Sequence, residues 1–213
     1  MSLTPRELAA CLLESGAVRL RPLEPFTWAS GMKAPIYCDN RQLLGFPGHR
    51  ERVVEALAAR ARALKPTLIA GAATAGIAWA ALVADRLGLP MAYVRPEPKK
   101  HGMGRQVEGP SAGGHRAVLI EDLISTGGSS LRCVEALKAE GAEVAAVLAL
   151  FSYSLPQAEA AFAEADLALE VLASFEALAE EGRQRGLVDP AGAEALHDWR
   201  RDTAAWSRAR GGA

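Results

Sequence analysis

Residues 118–130 read VLIEDLISTGGSS, and this stretch decides the fold class. It opens with a short apolar run, which is typical of a buried strand. Two acidic residues, Glu121 and Asp122, follow that run, and a hydroxyl- and glycine-rich segment at 125–130 leads into a helical pattern. A buried strand, a polar loop and a helix in this order are typical of sheets with parallel strands. The stretch therefore predicts one strand-loop-helix unit of an α/β fold.

Strands and helices alternate on both sides of this unit. The predicted strands, read from short apolar runs, are 68–70, 91–94, 117–120, 144–151 and 167–172. The predicted helices, read from apolar residues at helical spacing, are 48–64, 74–87, 129–140 and 156–164. Strands that alternate with helices of about 10–15 residues indicate a sheet covered on both faces. We therefore expect a doubly wound, mainly parallel α/β sheet.

The segments outside this alternation predict smaller additions to one domain. A capping pattern at Thr4, Pro5 and Glu7 predicts an N-terminal helix that ends near Gly16. The β-like pieces between residues 23 and 37 predict a small hairpin region. The expected organisation of the single domain 1–213 is a hood at 1–45, an α/β core at 46–175, a mobile loop at 95–114 and a C-terminal helical segment at 176–213, with one helix at 189–210.

Composition and charge exclude several classes of protein. The 213 residues are 50% hydrophobic and 23% charged, which is enough apolar surface for a soluble core without disulfides. The formal net charge of −1 gives no general attraction to nucleic acid or to an acidic membrane. The 3 cysteines show no paired spacing, and no apolar run reaches the roughly 18 residues of a membrane helix. We therefore expect a cytoplasmic protein without nucleic-acid or membrane partners.

The stretch that follows the predicted strand has the chemistry of a sugar-phosphate site. The carboxyl ends of parallel strands are where open α/β sheets bind ligands, so Glu121 and Asp122 should lie at a cleft. Their carboxylates can accept hydrogen bonds from ribose hydroxyls and, through water, hold a divalent cation. Backbone amides and hydroxyls at 125–130 favour a phosphate group, although the GxxxxGK and GxGxxG motifs are absent. A solvated turn before an ordinary helix is the alternative interpretation.

Two further segments predict anion binding. Arg95, Lys99, Lys100 and His101 cluster in a glycine-rich segment that could close over a polyphosphate. The loop 71–76 follows a predicted strand and opens a predicted helix, where backbone amides can hold an anion. A solvated basic loop and a simple strand-to-helix turn are the alternative interpretations of these two segments.

These segments resemble a known enzyme family. The stretch VLIEDLISTGGSS is similar to the motif with which type I phosphoribosyltransferases bind 5-phosphoribosyl 1-pyrophosphate (PRPP), and the basic segment resembles the catalytic loop of the orotate enzymes among them. Residues 26–41, FTWASGMKAPIYCDNR, resemble the orotate enzymes' signature F-x-x-x-S-G-x-x-S/A-P-x-Y-x-D-x-R. The resemblance implies the type I fold and a pentosyltransferase that moves ribose 5-phosphate from PRPP to orotate. It also implies Mg²⁺ bound through PRPP and water rather than by protein ligands, a homodimer that shares the 95–114 loop across its interface, and a cis Ala73–Thr74 peptide.

The resemblance assigns roles to individual residues. The expected catalytic residues are Arg95, Lys99, Lys100, His101 and Asp122. The expected PRPP-binding residues are Arg95, Lys99, Lys100, His101, Glu121, Asp122, Leu123, Ile124, Ser125, Thr126, Gly127, Gly128 and Ser129. The expected orotate-binding residues are Phe26, Lys33 and Ser125. A purely structural role for Phe26 is an equal alternative, since aromatic residues of small hairpins are often core residues, and we expect the four tryptophans to be packing residues.

The chain departs from the family pattern at several positions. Many members have lysine where this chain has Ala29, Ala75 and Pro96, and some have an orotate-contacting arginine where this chain reads SYSLPQ after Phe151. We therefore expect orotate recognition to depend more on Ser125, on backbone groups and on the N-terminal segment. A phosphoribosyltransferase for another base and a non-catalytic PRPP-sensing regulator remain alternative hypotheses.

Overall fold

The structure of the chain, a computed structural model, describes residues 3–97 and 106–213. The strands in that part of the chain are β1 (Val18–Leu20), β2 (Phe26–Thr27), β3 (Lys33–Ala34), β4 (Ile36–Cys38), β5 (Leu68–Ala72), β6 (Met91–Val94), β7 (Val107–Glu108), β8 (Arg116–Ile124), β9 (Glu143–Ser152) and β10 (Leu169–Ser174). The helices are α1 (Pro5–Glu14), α2 (Pro47–Ala63), α3 (Gly76–Leu87), α4 (Gly128–Ala139), α5 (Pro156–Glu164), α6 (Phe175–Gln184), α7 (Pro190–Arg201) and α8 (Thr203–Arg208), with a 3₁₀ helix at Asn40–Gly45.

A central sheet of six strands organises the described residues, in the order β10-β9-β8-β5-β6-β7. Its neighbouring strands are parallel except at the edge, where β7 pairs antiparallel with β6. The predicted doubly wound, mainly parallel α/β sheet is confirmed. Among the described residues, no helix combines the length and the apolar character needed to cross a bilayer.

The two faces of the sheet bury separate apolar clusters. Successive side chains of a strand point to opposite faces, so each central strand contributes to both clusters. Ile69 and Val118 pack with residues of α1, α2 and α3 on one face. Leu68 and Leu119 pack with residues of α4 and α5 on the other face. This burial on both faces explains why the central strands appear in the sequence as nearly continuous apolar runs.

The strand that carries the acidic pair is longer than predicted. The predicted strand ended at residue 120, with Glu121 and Asp122 directly after it. In the structure β8 continues to Ile124, because β9 runs beside it and pairs Glu121 with Ala149 and Ile124 with Ser152. The acidic pair therefore belongs to the sheet itself, which fixes its backbone more firmly than a loop would.

The segment 95–114 is more regular than predicted in its described part. Strand β7 lies within it, the backbone N–H of Arg95 donates to the carbonyl of Gln106 (3.0 Å), and Ala112 is buried. Residues 98–105, which include Lys99, Lys100 and His101, lie outside the described residues. Arg95 and Gln106, on either side of residues 98–105 in the chain, are thus joined next to the sheet edge.

The additions to the core also differ in detail from the prediction. The N-terminal region contains two small antiparallel ribbons, β1 with β4 and β2 with β3, in place of one hairpin. The helix predicted at 189–210 is divided into α7 and α8, because Asp202 adopts an extended conformation (φ −151°, ψ 92°) and its carboxylate caps α8. Helix α8 lies against β3, so the C-terminal segment contacts the N-terminal region.

Helix α1 packs against helix α6. The buried face of α1, which includes Leu8 and Leu12, packs against α6 and β10. Ion pairs join the same two helices, from Arg6 to Glu181 (2.8 Å) and from Arg185 at the end of α6 to Glu14 (2.8 Å). Helices α1 and α6 therefore pack together although their ion-paired residues are 171 or more positions apart in sequence.

Candidate active site

The acidic pair lies at the carboxyl end of the central sheet. Glu121 is only 7% exposed, and its carboxylate accepts hydrogen bonds from the Ser130 hydroxyl (3.1 Å) and from the backbone N–H of Asp122 (3.0 Å). The side-chain amide of Asn40, which is fully buried, donates to the carbonyl of Asp122 (2.6 Å). The strand end is thus held from the helix α4 side and from the N-terminal region.

The environment of the pair changes its protonation. Burial raises the pKa of Glu121 to about 8, and the neighbouring charge of Asp122 adds to this shift. Burial also raises the pKa of Asp122, opposed by its hydrogen bond with Glu121 and by the charge of Arg41. Burial therefore favours the protonated form of the pair relative to ordinary carboxyl groups, and a bound cation would favour loss of the proton.

A short loop joins β8, the strand with the acidic pair, to α4. Gly127 has a left-handed backbone (φ +83°), and a Cβ at this position would lie 2.9 Å from the ring of Phe162, so the turn requires glycine. The 12-residue helix α4 starts at Gly128, and the N–H groups of its first turn face the loop. The exposed residues Thr126 and Ser129 add hydroxyl groups. This arrangement suits a phosphate monoester, since amides and the helix dipole both favour an anion.

The loop 71–76 lies against the end of β8. A Cβ on Gly76 would come within 2.5 Å of the carbonyl oxygen of Ile120, so only glycine permits this approach. The peptide between Ala73 and Thr74 is cis, as the family resemblance implies. Both residues line a cavity of about 380 Å³, together with Arg95. The loop, the start of α3 and the first residue of the basic segment therefore face one space.

A second cavity, of about 320 Å³, is lined in part by residues that directly follow the acidic pair. Its lining residues are Thr27, Trp28, Ala29, Tyr37, Cys38, Leu123, Ser125 and Tyr153. The rings of Trp28 and Tyr153 are stacked, with centroids 5.9 Å apart and planes at 17°, and the indole N–H of Trp28 donates to the carbonyl of Ile36 (3.1 Å). Leu123 and Ser125 belong to the strand and loop that carry the acidic pair. We call this space the base-side cavity.

Comparison with known proteins agrees with this geometry. Residues 48–162 match the model of the phosphoribosyl transferase domain. The orotate phosphoribosyltransferase of Bacillus cereus is 46% identical over 205 residues, which cover 94% of this chain and 98% of that relative. The chain belongs to the orotate phosphoribosyltransferase family. Among solved structures, the orotate phosphoribosyltransferase of Aeropyrum pernix is 30% identical, with a TM-score of 0.71 over 85% of this chain and 99% of its own. The UMP synthase of Leishmania donovani is 26% identical, with a TM-score of 0.76 over 92% of this chain and 42% of its own.

The base-side residues expected from the family pattern divide into two groups. Ser125 lines the base-side cavity directly. Lys33 does not line the cavity, but its ammonium group lies 2.7 Å from the hydroxyl of Thr27, which does. Phe26 packs against the lining residue Tyr37, with ring centroids 5.8 Å apart. The structure therefore brings all three to one region, but only Ser125 belongs to the wall itself.

Several lining residues were not predicted. Trp28 was expected to be only a packing residue, yet it forms part of the cavity wall while it also packs edge-on against Trp199, at a centroid distance of 6.1 Å. Tyr153 lies one residue beyond β9, in the SYSLPQ segment where the family arginine is missing. Its position after a parallel strand, at the same sheet edge as Glu121, is the signal that could have identified it.

The acidic pair does not form a protein-only metal site. Within residues 3–97 and 106–213, no group of three or more His, Cys, Asp and Glu side chains is arranged to hold a metal ion. Two adjacent carboxylates instead suit a hydrated cation whose other ligands come from a phosphorylated substrate, since Mg²⁺ keeps several waters in such sites. The donor set of this orotate phosphoribosyltransferase family member therefore fits Mg²⁺ that arrives with substrate.

Proposed function

We propose that this chain is an orotate phosphoribosyltransferase that converts orotate and PRPP to orotidine 5′-monophosphate and pyrophosphate in de novo pyrimidine synthesis. One observation carries the proposal beyond family membership. Leu123 and Ser125 belong both to the segment with the acidic pair and phosphate loop and to the wall of the base-side cavity. A base in that cavity therefore lies next to a ribose held at Glu121 and Asp122, as the transfer reaction requires.

The ribose 5-phosphate of PRPP would occupy the strand end and the loop after it. Glu121 and Asp122 accept hydrogen bonds from the ribose hydroxyls, and the negative charge of the pair favours the positive charge that develops on the sugar. The segment 125–129 binds the 5′-phosphate through backbone amides and hydroxyls, with Leu123 and Ile124 at its start. Mg²⁺, held by PRPP oxygens and by water near the acidic pair, would neutralise charge on the pyrophosphate when it is bound.

The pyrophosphate would leave towards the cavity of loop 71–76. Arg95 lines that cavity, and Lys99, Lys100 and His101 lie in the chain between Arg95 and Gln106, which are joined by a backbone hydrogen bond. Cationic groups that meet the leaving group stabilise the charge it acquires in the transition state. His101 or a neighbouring lysine would donate the proton to the departing oxygen.

The base-side cavity would hold orotate through Ser125 and the surrounding aromatic residues, with Lys33 nearby for the orotate carboxylate and Phe26 in support. Ala29 lines the cavity where, by the resemblance, many family members have lysine, and Tyr153 belongs to the SYSLPQ segment that lacks the arginine of some members. With those cations missing, the ammonium group of Lys33, already beside the wall residue Thr27, is the proposed charge partner.

The reaction assay tests the whole proposal. Purified protein is incubated with PRPP, Mg²⁺ and each of orotate, uracil, adenine, guanine and xanthine, and pyrophosphate release is measured. We expect turnover with orotate that stops when Mg²⁺ is chelated. Turnover with a purine and none with orotate would replace this function with that of another phosphoribosyltransferase. PRPP binding without pyrophosphate release with any base would favour a PRPP-sensing regulator.

We further propose a cytoplasmic homodimer in which the 95–114 segment of each subunit completes the site of its partner. Mixing tests this arrangement, because Lys99→Ala and Asp122→Asn would then damage different parts of each shared site. We expect activity to rise above that of either impaired variant after the two are mixed and allowed to exchange subunits. Activity that stays at the sum of the separate variants would place segment and acidic pair in one subunit.

A further inference from the structure

The C-terminal residues 207–213 are bonded to the ribbon that carries the base-side wall. The hydroxyl of Ser207 accepts a hydrogen bond from the backbone N–H of Lys33 (2.8 Å) and donates to the carbonyl of Ala213 (2.8 Å). The backbone N–H of Ala213 donates in turn to the carbonyl of Gly31 (3.1 Å). Ser207 is fully buried, so its hydroxyl is enclosed by these partners. We call residues 207–213 the tail.

The tail is packed tightly against the β2-β3 ribbon. The backbone N–H of Gly212 donates to the carbonyl of Ser207 (3.0 Å), which folds the tail back over α8. A Cβ on Gly212 would lie 2.7 Å from the backbone nitrogen of Lys33 and would also overlap the Ser207 hydroxyl. A glycine is therefore required for the tail to reach the ribbon in this geometry.

The ribbon that the tail holds forms one wall of the base-side cavity. Thr27, Trp28 and Ala29 line the cavity, and Thr27 is the register partner of Lys33 across the ribbon. The turn between β2 and β3 is closed by the backbone N–H of Trp28, which donates to the carbonyl of Met32 (2.8 Å). The backbone of residue 33 is thus fixed by the tail, while its ammonium group touches the cavity wall at Thr27.

The ribbon has little stability of its own. Each of its strands has 2 residues, and isolated two-stranded hairpins are at best marginally stable in water. Support from outside the ribbon therefore decides how often its wall residues have the geometry that binds a ligand. If only a fraction of molecules are competent, the apparent dissociation constant rises by the inverse of that fraction. The effect would be confined to the ligand that contacts the ribbon.

We propose that the tail is a positioning element for the acceptor base: Ser207 and Gly212 hold the β2-β3 ribbon so that Thr27, Trp28 and Ala29 can enclose the base. This inference rests on the proposed function and adds a positioning role for a segment outside the matched domain, which ends at residue 162. Neither Ser207 nor Gly212 lines the cavity, so both act through the ribbon.

Two substitutions in the full chain test the role. Ser207→Ala removes the acceptor of the Lys33 N–H, and Gly212→Ala displaces the tail from the ribbon. Ser174→Ala is the matched control for the first, since its hydroxyl accepts from the N–H of Ala177 (3.3 Å) at the start of α6. Gly48→Ala is the control for the second, because a Cβ there meets no atom within 4 Å.

The readout is the pair of KM values for orotate and PRPP, measured with the thermal midpoint of each variant. We expect the orotate KM to rise about 3- to 10-fold in both tail variants, which corresponds to a competent fraction of roughly 0.1–0.3. The PRPP KM should stay within about twofold of wild type, and both controls should match wild type. If Ser207→Ala yields too little folded protein, Gly212→Ala decides alone.

Each other outcome overturns the proposal. An unchanged orotate KM in Gly212→Ala would show that the tail does not position the ribbon. A parallel rise in both KM values would show a general structural role. A wild-type protein that turns over no orotate would overturn the proposed function and this inference with it, whereas normal wild-type turnover with unaffected tail variants overturns only the inference.

Discussion

The two sides of the site are built in different ways. The ribose-phosphate side is one continuous segment, 121–130, whose first residues belong to β8 in the middle of the sheet. The base-side cavity draws its lining from the β2-β3 ribbon, from β4, from β8 and its loop, and from the residue after β9. In the proposed function, PRPP would thus be held by the core, and recognition of the acceptor base would depend on small additions to it.

This difference has a physical basis in how each side is held. Strand β8 is bonded to β9 from Arg116 to Ile124 and to β5 from Ala117 to Ile120, and most of its residues are buried. The ribbon has one bonded partner strand for each of its strands, and its other support comes from aromatic packing and from the tail. We therefore expect substitutions on the ribose-phosphate side to change turnover, and substitutions on the base side to change the orotate KM.

The largest effect should come from the acidic pair. Glu121→Gln combined with Asp122→Asn removes the charge that favours a cationic sugar, and we expect kcat to fall about 10³-fold. The circular dichroism spectrum should be unchanged, since the amides are of similar size. Glu164→Gln with Asp166→Asn, two exposed acidic residues at and just beyond the end of α5, is the matched control. Wild-type turnover in the first double variant would contradict the ribose role.

A smaller loss is expected from the basic segment. Lys99→Ala should lower kcat about 10²-fold through loss of one charge at the leaving group, with little change in thermal midpoint. Lys138→Ala, an exposed lysine on α4, serves as the control and should behave as wild type. Unaltered kcat in Lys99→Ala would remove this residue from the mechanism.

On the base side, Trp28→Leu should change the KM for orotate but not the KM for PRPP. The substitution removes the stacked contact with Tyr153 and the hydrogen bond to Ile36. Contacts of this kind contribute about 0.5–1.5 kcal/mol each, so we expect the orotate KM to rise roughly 3- to 10-fold. The PRPP KM should be unaffected. Trp79→Leu, a substitution in the core on the α3 side, is the control and should lower stability without this change in KM. Equal shifts of both KM values in Trp28→Leu would contradict the division between the two sides.

The smallest effect concerns stability and pH. The pKa of Glu121 is about 8 in the folded protein against 4.5 for the ordinary carboxyl, so the folded state holds more protons than the unfolded state between these values. The free energy of unfolding therefore falls as pH rises through that window. Glu121→Gln removes this dependence, and between pH 6 and pH 8 the wild-type midpoint should fall at least ~3 °C more than that of the variant. Equal changes of the two thermal midpoints with pH would show that Glu121 is ionised throughout this pH range.

The fold was largely predictable because its central elements are apolar on both faces. The predicted strand 91–94 and helix 156–164 have the bounds found for β6 and α5. The polar end of β8 could not be predicted from local pattern, since it is a strand only because β9 continues beside it. The break between α7 and α8 depends on a single extended residue, Asp202.

The site was predictable only where it is continuous in sequence. Glu121 and the loop after it were read from one motif, and the structure places them at the carboxyl edge of the sheet. Trp28 and Tyr153 are far apart in the chain and meet through tertiary packing, with Trp199 of α7 against both rings. No local sequence pattern predicts this contact, so the residues of the base-side wall could be identified only from the three-dimensional structure.

The closure of α1 on α6 has a consequence for synthesis of the protein on the ribosome. The apolar face of α1 is made before its main partners in β10 and α6, which lie within 169–184. The helix must therefore wait, with the face that includes Leu8 and Leu12 only partly covered, while the intervening α/β units emerge and form their own contacts. Native packing of this nascent chain cannot spread simply from its first residues onward, and exposed apolar surface of this kind is what chaperones recognise during that interval.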